Sequence, residues 1–158
     1  MHDEIERRYL LKWIPQKLKG KFTLIFQTYS SFENPEIRLR NEDGYYYQNI
    51  KHGQGLKRKE SDPIPIKGDD FSRVWNQFPE RQLVKQRYKH PAGNFVWELD
   101  EFLRRHKGLF IAEIELPSAE IIPEIPPELK EVIIREITDD DRYRNKNLSR
   151  YGIPQETP

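Results

Sequence analysis

Charged side chains recur at every second position in six short segments of this chain, and that period constrains its fold more than any other feature. In a β-strand, residues two apart share a face. "EIERRYL" sets Glu4, Glu6 and Arg8 on one face, with Ile5 and Tyr9 among the residues on the other. "EIRLR" places Arg38 and Arg40 opposite Ile37 and Leu39, and "NIKHGQGLKRKE" carries Lys51, a glycine turn, then Arg58 and Glu60. "LVKQRY" groups Lys85 with Arg87, "FVWELDEF" sets Glu98 and Asp100 opposite Trp97 and Leu99, and "LFIAEIEL" sets Glu113 and Glu115 opposite Ala112, Ile114 and Leu116. Basic pairs and acidic pairs fall on different strands.

Two arrangements satisfy this pattern. In the first, the strands form an antiparallel sheet whose polar face meets water. A solvent face normally mixes Thr, Ser and Gln among its charges, however, and these faces are almost wholly ionisable. In the second, about eight strands close with the charged faces inward, enclosing a channel with carboxylates on one side and cations on the other. The apolar faces then point outward and need cover. The spacers offer it. "GDDFSRVWNQF" has Asp69 or Asp70 as an N-cap and Phe71, Val74, Trp75 and Phe78 at helical spacing. "IPPELKEVIIREI" has Pro127 suited to a first helical turn and a stripe through Leu129, Val132 and Ile133. "NKNLSRYG" predicts a short helix ended by Gly152.

Composition narrows the function classes. The 158 residues suit one domain spanning 1–158. The proline-rich "PSAEIIPEIPPE" is read as a loop within it. Cysteine is absent, so there is no disulfide framework and no thiolate metal site. No apolar run approaches the roughly 20 residues of a membrane span, and the N-terminus is charged where a signal peptide is apolar. The expectation is a cytoplasmic protein with no membrane partner. Charged residues make up 34% of the chain but sum to only +1, which argues against nucleic-acid binding through bulk positive charge.

The remaining signals are read as structural. His2, His52, His90 and His106 share no ligand spacing and are expected at the surface or in loops. "HGQG" lacks the Lys-Ser/Thr of a phosphate-binding loop and is read as a hairpin turn. Tyr45 to Tyr47 are placed on the outer wall under helices, and the terminal "GIPQETP" as a frayed tail.

In order along the chain, these segments resemble the CYTH domain, the triphosphate tunnel metalloenzymes. "EIERRYL" is similar to the ExExK signature, "QTYSS" to the QGYL-type strand, "EIRLR" to the RxR strand and "NIKHGQGLKRKE" to the TxK and LxRxE strands. "VKQRY" resembles the KxR strand, "FVWELDEF" with "KGLFIAEIEL" the paired WExD and GLxxAExE strands, and "REITDDDRYRNKNL" the EVTGDxRYxN tail. The resemblance spans nearly the whole chain. It implies a mainly β (α+β) fold: a closed eight-stranded antiparallel barrel with a charged lumen and a few outer helices.

It also implies roles. Glu4, Glu6, Glu98, Asp100, Glu113 and Glu115 correspond to metal ligands for Mg²⁺ or Mn²⁺. Arg8, Arg38, Arg40, Lys51, Arg58, Lys85 and Arg87 correspond to substrate-binding cations. Glu4, Glu6, Arg8, Lys85 and Tyr29 make up the catalytic set, with Tyr29 near the scissile phosphate. Hard cations suit carboxylate oxygens, and neither charge set is easily buried without the other. The sequence departs from the pattern at Arg8, where lysine is usual, so a lysine base at that position is ruled out. Asn49 stands where threonine is typical, and Asp139 and Asp141 replace Gly and Pro.

The implied activity is metal-dependent hydrolysis of a phosphoanhydride by water without a covalent intermediate, most simply of inorganic tripolyphosphate. The implied partner is a small-molecule triphosphate, and a homodimer is compatible with it. Two alternatives stay open: an enzyme for an organic triphosphate, as in thiamine triphosphatases and adenylyl cyclases, and a non-catalytic polyphosphate- or nucleotide-binding module.

Overall fold

The fold is a computed structural model that describes residues 1–156. Among the described residues ten strands run β1 (His2–Leu11), β2 (Phe22–Ser31), β3 (Glu36–Glu42), β4 (Tyr45–His52), β5 (Lys57–Glu60), β6 (Ile64–Pro65), β7 (Leu83–Ala92), β8 (Phe95–Phe102), β9 (Phe110–Glu115) and β10 (Ile133–Glu136). Three helices, α1 (Gly68–Gln77), α2 (Pro127–Lys130) and α3 (Asn145–Tyr151), lie among them.

Eight strands close into an antiparallel barrel in the order β1-β5-β4-β3-β2-β7-β8-β9, and β9 returns to β1. Residues directly opposite one another in such pairs share a face. The register sets Glu4 opposite Arg58, Lys51 opposite Glu60, Tyr29 opposite Arg38, Arg87 opposite Asp100, Glu98 opposite Glu113 and Glu6 opposite Glu115. The charged faces therefore converge on the barrel interior, as the second sequence arrangement requires. One edge of β1 is divided: His2–Ile5 pair with β5, and Tyr9–Leu11 pair with β10.

The outward faces are covered. Tyr9 and Trp97 meet at 5.7 Å between ring centroids, in a core shared with Leu99, Ala112, Ile114, Leu129 and Val132. The proline-rich connection adds Ala119, Ile121 and Ile125 to that core. On the other side, Phe71 and Trp75 of α1 pack on Tyr46 and Phe26. A β-carbon at Gly68 would stand 3.2 Å from the Tyr46 ring, so the helix enters against the barrel on a residue without one.

Several sequence expectations need correction. The N-cap of α1 is Lys67, without a side-chain cap, and Asp69 and Asp70 fall in the first helical turn. Pro127 opens α2 as expected, but the helix stops at Lys130 and Ile133 begins β10. The β-branched run Val132-Ile133-Ile134 suits a strand, and the edge of β1 beyond β5 was available to pair with it. α3 ends at Gly152 with φ of +80°, as predicted. The tail was read as frayed, yet Glu156 pairs with Arg135 at 2.9 Å; residues 157–158 lie outside the described residues. His106 is fully buried, with Nε2 2.6 Å from the Leu148 carbonyl.

The inward face does not stay charged along its whole length. Beyond Arg8 comes Leu10, before Lys85 comes Leu83, beyond Asp100 comes Phe102, and before Glu113 comes Ile111. These four residues lie on adjacent strands at the same barrel end and cluster with Leu109, Ile137, Tyr143 and Leu148. The segment leading into α3 thus caps that end with an apolar plug.

Candidate active site

The barrel interior holds a cavity of about 170 Å³ lined almost entirely by ionisable groups. Glu4, Glu6, Arg8, Tyr29, Arg38, Arg40, Lys51, Arg58, Arg87, Glu98, Glu113 and Glu115 all reach it. Two residues expected there do not. Lys85 and Asp100 point inward but are fully buried against each other at 2.8 Å, between the cavity and the plug. Arg87 binds both Asp100 oxygens, through Nε at 2.7 Å and Nη2 at 2.9 Å. With both oxygens engaged by cations, Asp100 acts here as the anchor for Lys85 and Arg87.

The walls form an ion-pair lattice. Lys51 donates to both oxygens of Glu4 at 3.2 Å and stands 3.6 Å from Glu60. Arg38 donates to Asn49 at 2.7 Å, and Arg58 donates to Glu36 at 2.9 Å. Arg40 donates to the Gln27 carbonyl oxygen at 2.8 Å, while the Gln27 amide donates to the Tyr29 hydroxyl at 2.7 Å, leaving the Tyr29 proton free to donate. Burial keeps Tyr29 protonated by pushing its pKa upward. Arg8 donates through Nε to Glu113 at 3.3 Å and through Nη1 to the Tyr143 carbonyl at 2.8 Å. Its Nη2 is buried with no hydrogen-bond partner among the described residues.

Titration of the carboxylates separates two groups. Burial pushes Glu113 up, but Arg8 and Arg87 outweigh it and bring its carboxyl down to about 2. Glu6 goes the other way: burial, with Glu113 and Glu4 close by, raises it to about 7. Burial and the charges of Glu4, Glu6 and Glu98 also raise Glu115. Glu6 and Glu115 carry no ion pair among the described residues. One side of the cavity therefore holds acidic charge that the protein's own cations leave uncompensated.

No protein-family model matches the chain. An inorganic triphosphatase of Acetivibrio thermocellus is 34% identical over 154 residues, covering 94% of each chain. The chain belongs to the CYTH triphosphate tunnel family. A second family relative, the inorganic triphosphatase of Nitrosomonas europaea, is 32% identical over 156 residues, covering 92% of this chain and 96% of its own. A crystal structure of an inorganic triphosphatase superposes with a TM-score of 0.65 at 29% identity, covering 96% of this chain and 99% of that one.

Family membership implies a divalent metal, and the acidic side of the tunnel fits one. Among the described residues no three acidic or histidine groups are already gathered at ligand spacing. Glu6 and Glu115, opposed in register and unpaired, offer two carboxylates that repel each other until a cation separates their charges. An ion held by two carboxylates, with water and substrate oxygens completing its shell, is the ordinary mode for Mg²⁺.

Sequence reasoning gave no role to Glu36, Glu60, Gln27, Asn49, Arg144, Asn145 or Lys146, and all of them touch or brace the cavity. Glu36 was legible: it stands two residues before Arg38 on the same face. Arg144, Asn145 and Lys146 arrive from the cap, where no strand period could place them.

Proposed function

We infer that residues 1–158 form one cytoplasmic catalytic domain that hydrolyses a triphosphate, with inorganic tripolyphosphate as substrate and Mg²⁺ or Mn²⁺ as the metal. The observation that carries this reading is the lining. Apart from Tyr29 and Asn145, every described residue facing the cavity is Arg, Lys or Glu. A nucleobase or thiazolium ring would find no apolar ledge there, whereas polyphosphate with its counter-cations finds both complements.

In this reading Arg38, Arg40, Lys51, Arg58 and Arg87 hold phosphate oxygens; ion pairs, and for Arg40 the neutral Gln27 and Tyr47, keep their geometry fixed until substrate arrives. Arg8 adds its free Nη2 to the same oxygens and cannot serve as a base. Tyr29 donates its hydroxyl proton toward the transferring phosphate. Glu6 and Glu115 would hold the metal, joined by Glu4, Glu98 and Glu113 once the cations now paired with those three turn to phosphate oxygens, while Asp100 and Lys85 position Arg87 from beneath. The bound metal supplies charge neutralisation and a lowered pKa for the attacking water.

The test is phosphate release from tripolyphosphate, thiamine triphosphate, ATP and pyrophosphate with Mg²⁺ or Mn²⁺. Tripolyphosphate should be the best substrate by at least tenfold in kcat/KM. Tight binding with no release from any of the four would leave a binding module.

A further inference from the structure

Next to the tunnel cavity lies a second, outer cavity of about 350 Å³, bounded by the β2–β3 loop at Phe32–Pro35 and the β4–β5 loop at His52–Gln54. Four residues, Glu36, Lys51, Arg58 and Lys146, line both cavities and so form the partition between them. Three of the four are barrel residues fixed by strand pairing. The fourth, Lys146, comes from α3 in the cap.

Lys146 closes the partition loosely. Its ammonium stands 3.9 Å from Glu36 and 3.5 Å from the Phe32 carbonyl, both at the outer limit of contact. Glu36 is already satisfied by Arg58 at 2.9 Å. A lysine ammonium has three donors, so Lys146 is under-coordinated although its side chain is only 13% exposed. The outer cavity repeats the basic character of the tunnel, since Lys51, Arg58 and Lys146 outnumber Glu33 and Glu36.

We propose that Lys146, held against Glu36, is the chain-length stop of the tunnel: it grips the innermost phosphate of a bound polyphosphate and bars a fourth from the outer cavity. This rests on the assignment of a polyphosphate substrate. The closed partition limits the tunnel to short chains, and the outer cavity, once opened, supplies a basic continuation that a longer chain can enter. Lys146 therefore sets specificity by length while contributing charge to the bound end.

The experiment compares tripolyphosphate with tetrapolyphosphate on wild type, Lys146→Ala and Lys146→Arg, by kcat/KM and by calorimetric affinity at fixed salt and Mg²⁺. Wild type should prefer tripolyphosphate at least tenfold. Lys146→Ala should lose activity on tripolyphosphate and shift the tetra-to-tri ratio at least tenfold toward the longer chain, and Lys146→Arg should keep the wild-type ratio. A merely structural lysine would lower both substrates together. An unchanged ratio in Lys146→Ala, or a wild type indifferent to length, overturns the proposal. If no variant turns over any phosphate, the triphosphatase reading fails, and the affinity ratios still decide the partition.

Discussion

Lys85 and Asp100 meet at 2.8 Å with neither side chain exposed, directly above the apolar plug that includes Phe102. Burial brings Lys85 down to about 8, while Arg87 and Lys85 together hold Asp100 well below the usual carboxylate range despite its burial. Three charged groups thus share one dry position: Asp100 is the ion-pair partner of Lys85 among the described residues, while Arg87 also reaches Glu98 at 3.1 Å and Glu113 at 3.6 Å. Asp100→Asn should therefore cost about 3–5 kcal/mol of stability, because it leaves the buried Lys85 without its counter-charge. Urea denaturation measures it. A loss below about 1 kcal/mol would mean that water or another carboxylate replaces Asp100.

Metal should stabilise the protein through the uncompensated acidic side. Addition of Mg²⁺ or Mn²⁺ should raise the melting temperature of wild type, and the double substitution Glu4→Gln, Glu6→Gln should abolish that rise. Thermal unfolding with and without EDTA is sufficient. An equal response in the double variant removes these two carboxylates from the metal site.

Without metal, Glu6 should make stability depend on pH. Its native carboxyl holds a proton up to about pH 7, whereas in the unfolded chain it ionises near 4.5, the ordinary glutamate value. Between these values the native state binds more protons, so stability falls as pH rises, by at most about 3 kcal/mol from this group. Glu113, with its lowered carboxyl, acts in the opposite direction but below pH 4.5. Denaturation midpoints of EDTA-treated protein from pH 4.5 to 7.5 should decline, and Glu6→Gln should flatten the decline.

The two walls should fail differently. Arg40→Ala removes a forked donor and should weaken both tripolyphosphate affinity and turnover, by about a hundredfold in kcat/KM. Glu115→Gln should spare most of the affinity while removing most of the turnover. Calorimetry and phosphate release on both variants separate these outcomes. Equal loss of affinity in the two would place Glu115 on the substrate side.

Much of the barrel was legible because its period is simple. A repeat of two fixes which face a residue takes, and Glu4, Arg38, Arg87 and Glu113 all follow it inward. Depth along that face is a different quantity. Nothing in the spacing distinguishes Asp100 from Glu98, yet one is sealed against the plug and the other reaches the cavity. The sealing comes from Ile137, Tyr143 and Leu148, which are remote in sequence from the strands they cover. The same remoteness hid Lys146. The stripe from Leu129 to Ile133 misled for another reason: a short apolar run fits helix and strand alike until a partner edge decides, and β1 supplied that edge.

The divided edge of β1 also bears on how the molecule is made. This strand carries Glu4, Glu6 and Arg8, and it pairs with β5, with β9 and with β10. Arg8 meets Glu113 across a separation of 105 residues. On the ribosome β5 can cover part of one edge of β1 early, but the edge that pairs with β9 and the stretch that pairs with β10 wait until those late strands are synthesised. The alternating charges of β1 are suited to that interval, since an edge studded with Glu and Arg resists pairing with other nascent chains. The charges that line the finished barrel interior thus also disfavour edge pairing in its unfinished half.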